Sequence, residues 1–320
     1  MCRELGPPSL LQIVEQPDPD SGPAGVVVAV EAAGVNFVDG LFIAGQYQIK
    51  PALPFTPGSE VAGRVAAVGS EVHGVSVGQR VMTTTGLGGY ASHVVVPPLA
   101  LVPLPDQLDA PRAATFTQSY CTSLFALRDR AHVHAGESVL VLGAGGGIGL
   151  AAIAVARALG CRVIGAASSG DKRAAALAAG AEAVIDTSTE SVKDAARSWA
   201  GGTGVDVVVD PIGGPAAEQS LRALGDGGRY LVIGFASGTI PSLPANQVLL
   251  RNRTVLGVDW GIWSMQHGAE QQALLTDLME MVAVGSIDPV VPTTYPLDEV
   301  ARALDDLLAR RVVGKIALIP

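Results

Sequence analysis

The chain has 320 residues, 30 acidic and 21 basic, and a net charge of −9 at neutral pH. No run of Lys and Arg follows a phosphate backbone, so nucleic acid is not an expected partner. No apolar run reaches the roughly 20 residues that span a bilayer, so no membrane partner is expected either. The first residues, Met-Cys-Arg-Glu-Leu-Gly-Pro-Pro, carry no signal-peptide pattern. Three scattered cysteines, Cys2, Cys121 and Cys161, argue against a disulfide framework and fit a reducing, cytoplasmic setting.

The first third of the chain reads as β-rich. Residues 26–32 form an apolar strand that ends at Gly34, and 58–69 form a second, glycine-punctuated one. Residues 80–83 and 91–96 are two more, and 36–47 reads as a short helix and a turn. Many short strands with Gly and Pro turns suggest a barrel or sandwich. From about Ala113 helix and strand alternate. A helix at 113–130 leads to strands at 138–142, 162–167, 183–186, 205–210, 230–234 and 254–258, with helices between them. Six apolar strands in this alternation imply an α/β unit with a doubly wound parallel sheet, covered on both faces. After Val258 come a helix at 270–284, another opening at Asp298, and a last strand at 315–319. That segment is too small for a domain and is expected to return to the first one.

The chain is organised around Ser138-Val139-Leu140-Val141-Leu142-Gly143-Ala144-Gly145-Gly146-Gly147-Ile148-Gly149. A β-branched strand runs into a glycine cluster and then into a strong helix former, 151–159, with Gly160 at the C-cap position. Strand, glycine turn and helix are the context in which glycines let a backbone approach a pyrophosphate and a helix N-terminus binds the anion. The strict G-x-G-x-x-G register does not fit; the spacing is Gly143-x-x-Gly146-x-x-Gly149. A bare turn in a glycine-rich chain is the competing reading. A dinucleotide site for NAD also ends its second strand in Asp or Glu, which binds the ribose 2′-hydroxyl. Here that strand ends at Ala167, followed by Ser168, Ser169, Gly170, Asp171, Lys172 and Arg173. The missing acid, with Ser168, Lys172 and Arg173 nearby, points to NADPH, although Asp171 offsets part of the charge. A capped helix start with solvated cations is the alternative.

Placed in order, these pieces resemble the medium-chain dehydrogenase/reductase superfamily, and within it the zinc-free NADPH:quinone oxidoreductase family. The resemblance rests on 32–39 (Ala-Ala-Gly-Val-Asn-Phe-Val-Asp), 53–63 (Leu-Pro-Phe-Thr-Pro-Gly-Ser-Glu-Val-Ala-Gly), the glycine turn, 205–214 (Val-Asp-Val-Val-Val-Asp-Pro-Ile-Gly-Gly) and Gly314-Lys315-Ile316. It implies a GroES-like catalytic domain from 1–112 and 259–320, and a Rossmann nucleotide-binding domain at 113–258. It also implies homodimers paired through the edge strand 254–258. Relatives start with a few more residues of the first strand, so a trimmed or misassigned start is expected. Thr187 stands where relatives often carry a tyrosine near the adenine, and Leu41 where many carry an aromatic residue.

The resemblance also frames the chemistry. Zinc-dependent relatives have Cys at the position of Asn36 and His at that of Ser59, and a cysteine-rich zinc lobe is missing, so no metal is expected. His73, His93, His132, His134 and His267 form no ligand set with these positions. Without a Lewis acid the substrate must already be electrophilic, as quinones and α,β-unsaturated ketones are. Asn36 either donates a hydrogen bond to a substrate carbonyl or caps the helix that follows it. Tyr47 either presents its hydroxyl to the same pocket or is a half-buried turn tyrosine. Asp39 is read as a local hydrogen-bond partner, and Cys121 as an apolar filler. The expected catalytic pair is therefore Asn36 and Tyr47. The expected cofactor set is Thr122, Gly143, Gly146, Gly147, Ile148, Gly149, Ser168, Lys172, Arg173, Gly234, Phe235 and Val258. The implied activity is hydride transfer from NADPH to a quinone or enone. Enoyl-thioester reduction and a non-catalytic NADPH-binding sensor are the alternatives.

Overall fold

The computed structural model describes residues 1–320. Its strands are β1 (Val26–Val35), β2 (Glu60–Val68), β3 (Arg80–Thr84), β4 (His93–Val96), β5 (Val102–Pro103), β6 (Ser138–Leu142), β7 (Arg162–Ala167), β8 (Ala183–Asp186), β9 (Val205–Asp210), β10 (Leu224–Val232), β11 (Thr254–Gly257), β12 (Thr293–Pro296) and β13 (Ile316–Ile319). Its α-helices are α1 (Phe37–Ile43), α2 (Ala110–Ala114), α3 (Thr117–Leu124), α4 (Gly147–Ala158), α5 (Gly170–Ala178), α6 (Val192–Trp199), α7 (Ala216–Ala223), α8 (Ala245–Leu249), α9 (Trp260–Gln266), α10 (Gly268–Ala283) and α11 (Val300–Leu308). The elements form two compact units, Met1–Gln118 with Val291–Pro320, and Ser119–Val290.

The first unit holds a seven-stranded sheet ordered β12-β13-β1-β2-β3-β5, with β4 also paired to β1. Its centre is β1, whose Val-rich sequence suits a strand buried on both faces. Val26–Ala29 pair with β4, and Ala33, Gly34 and Val35 pair with Leu318, Ala317 and Ile316 of β13. Val28, Val61, Val65, Val81, Ile316 and Leu318 are core residues of this unit. The stretch from the far end of the chain thus completes the sheet begun near its start.

The second unit holds six parallel strands ordered β11-β10-β9-β6-β7-β8. From β6 the chain winds outward through β7 and β8, then returns to the other side of β6 for β9, β10 and β11. That reversal makes the carboxyl ends of β6 and β9 the switch point, where open α/β sheets bind ligands. Every residue of β6 is buried, which is why the strand reads as an unbroken apolar run.

Three features differ from the sequence reading. The helix expected at 113–130 is broken into α2, α3 and a π-helical turn at Phe125–Arg130. The break falls at Thr115, whose hydroxyl donates back to the carbonyls of Pro111 and Arg112; such local bonds compete with helix continuation. The compact units divide after Gln118 and Val290 rather than at 112 and 258. Helices α9 and α10 go with the parallel sheet, because Phe125 stacks on Trp263 at 4.5 Å and Arg128 pairs with Asp277 at 2.6 Å. Finally, β10 begins at Leu224, six residues before the expected start, with an irregular register between Leu224 and Arg229.

Candidate active site

The glycine turn sits at the carboxyl end of β6. Gly143 has φ 58°, which only glycine adopts without strain, and a side chain there would collide with Ile212. A Cβ on Gly149 would lie 2.2 Å from the Gly143 carbonyl, so this position seats α4 against the turn. Gly146, by contrast, faces nearly open space, with only the Gly143 carbonyl at 3.4 Å. Gly146 is the N-cap of α4, and no side chain caps the first turn. The first-turn amides, those of Gly147, Ile148 and Gly149, are thus offered to an anion, aided by the helix dipole.

Lys172 packs over this turn; a Cβ on Gly145 would meet its Cβ at 2.4 Å. Ser169, rather than Ser168, caps α5, accepting the Lys172 amide at 3.4 Å, and Ser168 is exposed. Arg173 is not a free cation. It pairs with Asp186 at 2.9 Å and donates to the carbonyls of Ala167 and Ser168. Asp186 ends β8 directly beside Ala167. Hydrogen bonds from Ser188, and then the Arg173 charge, hold its carboxyl below the usual range. The acid missing from β7 is therefore partly supplied by Asp186 on the neighbouring strand.

On the other side of the switch point Asp210 organises two loops. Its Oδ1 accepts the amides of Ile212 and Gly213, both at 2.8 Å, and its Oδ2 accepts the buried Tyr230 hydroxyl. Its backbone carbonyl accepts from Ile233 and, at 3.4 Å, from Gly234. Burial, then the Asp210 charge, push the Tyr230 phenol well up, so it stays a donor. Phe235 lies 3.0 Å from where a Gly213 Cβ would be, and Val258 is buried with its amide on the Val232 carbonyl. Thr122 is buried in α3 next to Cys121, whose sulfur accepts from Gln271 at 3.6 Å.

In the β-rich unit, Asn36 precedes α1, and its side chain belongs to a buried polar cluster. Lys315 Nζ donates to Asn36 Oδ1; Asn36 Nδ2 donates to Glu60 Oε1 at 2.9 Å. Lys315 also reaches Glu60 at 3.3 Å, and Glu60 Oε2 accepts the Gln118 amide at 3.0 Å. The ammonium fixes which way the amide points, since a flipped Asn36 would set its NH₂ against Lys315 and its oxygen against the carboxylate. The second Nδ2 hydrogen has only the Ser59 hydroxyl, at 3.5 Å. Ser59 itself donates to Gln118 Oε1 at 3.2 Å.

Asp39 also completes a capping box with Asn36 at the start of α1. Its Oδ2 accepts the Asn36 amide at 2.8 Å and the Tyr90 hydroxyl at 2.7 Å, while its Oδ1 is buried without a partner. Burial raises the Asp39 carboxyl from 3.8 to about 6, against the opposing pull of the Asn36 and Tyr90 hydrogen bonds and the Lys315 charge. Tyr47 is half-buried in the turn after α1, edge-on to Phe42 at 4.8 Å. Sequence reasoning quoted Glu60 and Lys315 inside motifs but gave them no role. The available signal was a charge directly before a short apolar run in each case, Val61-Ala62 after Glu60 and Ile316-Ala317-Leu318-Ile319 after Lys315. No group of three or more His, Cys, Asp or Glu side chains is placed to hold a metal ion.

A glycine turn at the switch point of a six-stranded parallel sheet, joined to a β-rich unit built from both ends of the chain, defines a two-domain dehydrogenase or reductase. Residues 22–106 match the family model of the alcohol dehydrogenase GroES-like domain, and 147–275 match that of the zinc-binding dehydrogenases. The chain is 38% identical to quinone oxidoreductase-like protein 2 of Bos taurus, over 99% of its own length and 91% of that protein's. A probable oxidoreductase from Mycobacterium abscessus superimposes with a TM-score of 0.89 at 39% identity, covering 100% of this chain and 97% of that one. Escherichia coli quinone oxidoreductase, solved in complex with NADPH, gives 0.88 at 30% identity, covering 99% and 98%. The chain belongs to the medium-chain dehydrogenase/reductase superfamily, in its quinone oxidoreductase branch.

Proposed function

We propose that this chain is an NADPH-dependent reductase that reduces a quinone or an α,β-unsaturated carbonyl compound without a metal ion. The observation that carries the reading is the Asn36 amide. Lys315 and Glu60 hold it in one orientation, and its second N–H has only the long contact to Ser59, which a substrate oxygen can replace. The position where zinc-dependent relatives carry a ligand thus presents a preorganised neutral donor.

The open face at Gly146 and the uncapped start of α4 fit the pyrophosphate of a dinucleotide. Bound there, NADPH supplies the hydride. The first-turn amides hold the phosphates, and Asp210 with Tyr230 fixes the loops at 211–214 and 233–234. Asn36 Nδ2 donates to the substrate carbonyl oxygen as negative charge develops on it. A proton from water then completes the reduced product, a hydroquinone or a saturated ketone. The enzyme is read as a cytoplasmic homodimer. The three free cysteines and the unpaired outer edge of β11 support those two points.

The test is NADPH oxidation across quinones, enones and acyl thioesters, with Asn36→Ala alongside the wild type. The variant should lower kcat on quinones or enones about ten- to a hundredfold, less than a strong oxyanion-hole donor, and leave NADPH binding intact. Preference for acyl thioesters would make it an enoyl-thioester reductase. Tight NADPH binding with no turnover on any acceptor would make it a binding protein. An unchanged kcat/KM in Asn36→Ala would remove the polarising role.

A further inference from the structure

Five of the chain's 21 Lys and Arg residues line one cavity of about 350 Å³ in the parallel-sheet unit. They are Lys193 and Arg197 on α6, Arg222 at the end of α7, and Arg251 and Arg253 just before β11. Gln247 completes the lining, and no carboxylate contributes to it. In a chain of net charge −9 this inverts the average surface. The cavity is lined from along α6, from the end of α7 and from the residues just before β11, at the amino end of that strand. The glycine turn lies at the opposite, carboxyl ends of the strands.

Three of the cations have local explanations. Arg197 and Arg222 stand in the last turns of their helices, where the dipole favours positive charge. Arg197 donates to the Gly202 carbonyl, Arg222 pairs with Glu218, and Lys193 pairs with Asp194. Arg253 has no comparable account. It is only 7% exposed, and its guanidinium donates to the carbonyls of Gln247 and Leu224, while its Nε has no partner. Those carbonyls satisfy donors but not charge, and no carboxylate pairs with it. Buried charges are as a rule paired. Burial, then the neighbouring Arg251 and Arg197 charges, pull its pKa down, with Asp226 the one opposing influence. Arg251 is exposed, makes no hydrogen bond or ion pair with its side chain, and is held at φ 80°.

We propose that this cavity binds a small polyanion of phosphate chemistry, at a site separate from the dinucleotide turn. Guanidinium groups match phosphate oxygens in pairs, and a dianion or higher would supply the counter-charge that Arg253 lacks. The cavity's size suits a pyrophosphate or a phosphorylated metabolite. The cations form one compact cluster rather than a track, which disfavours a nucleic acid.

The test is calorimetric titration of NADPH-saturated protein with inorganic pyrophosphate, at constant ionic strength set with chloride. NADPH keeps the glycine turn filled. The comparison is the double variant Lys193→Gln/Arg251→Gly. Glycine is chosen because Arg251 sits at positive φ, and both side chains are outside the core, so the fold should be retained; equal NADPH affinity checks this. A saturable isotherm that weakens at least tenfold in the double variant supports the site. Equal isotherms in the two proteins would overturn it, as would binding that NADPH abolishes. A polyglutamate peptide that binds in a variant-sensitive way where pyrophosphate does not would also overturn it, in favour of a protein partner. If NADPH itself does not bind, the same variant comparison without it still decides, so the two proposals fail separately.

Discussion

At the level of single residues, the β-rich unit holds more buried charge than its local sequence suggests. Asp39 titrates near 6 in the folded protein and near 3.8 when unfolded. Between those values the folded state holds the extra proton, so Asp39 favours folding at low pH and this advantage is lost as pH rises from about 4 to 6. A rise from 3.8 to about 6 corresponds to about 3 kcal/mol. Urea denaturation at pH 4 and pH 7 should therefore show wild type losing about that much relative to Asp39→Asn. Parallel pH profiles of the two proteins would contradict it. Lys315 and Glu60 form a buried pair, at 7% and 1% side-chain exposure. Lys315→Met strands the carboxylate and should destabilise by roughly 3–5 kcal/mol, as broken buried pairs do. Adding Glu60→Gln should recover part of that loss, and strictly additive effects would show that the two do not interact. Their pairing was not legible in the sequence. The partners of Lys315 lie 255 and 279 positions away, and only the folded sheet brings them together.

At the level of elements, the parallel strands were easy to read because both of their faces are buried, which makes them continuous apolar runs. The glycine turn was legible for a different reason, since its backbone demands small residues at fixed offsets. Breaks inside helices were not legible: Thr115 interrupts a stretch whose composition is otherwise helical. The end of β7 shows a subtler limit. The absence of an acid at Ala167 was visible, but Asp186 meets Arg173 only because β8 lies beside β7. An Arg already paired has less to offer a 2′-phosphate. With each partner 24% exposed, solvent also weakens the pair. The preference for NADPH over NADH should thus fall near tenfold. Asp186→Asn should widen it, since the released Arg173 cation can then face a 2′-phosphate. The kcat/KM ratio for the two coenzymes at low salt measures this, and a ratio unmoved by Asp186→Asn would mean that Arg173 does not read the ribose.

At the level of the whole molecule, β11 closes the parallel sheet with one edge unpaired, and its Val255 is 37% exposed. A strand edge of this kind invites pairing with a second copy. Sedimentation should give twice the 32.5 kDa chain mass for wild type and a shift toward the single-chain mass for Val255→Lys. A wild type that sediments as a single chain would end that reading. The arrangement of the two units also bears on how the protein is made. The parallel-sheet unit is one continuous stretch, 119–290, so all of it has been synthesised before residue 291 is added. The β-rich unit is split around it. During synthesis Ala33–Val35 must wait, with one strand edge open, for Ile316–Leu318 to arrive, and the Asn36 and Glu60 side chains must wait for Lys315. Contacts so distant in sequence form slowly and leave edges exposed meanwhile. On the growing chain the parallel-sheet unit can therefore mature first, and the polar cluster around Asn36 is assembled last.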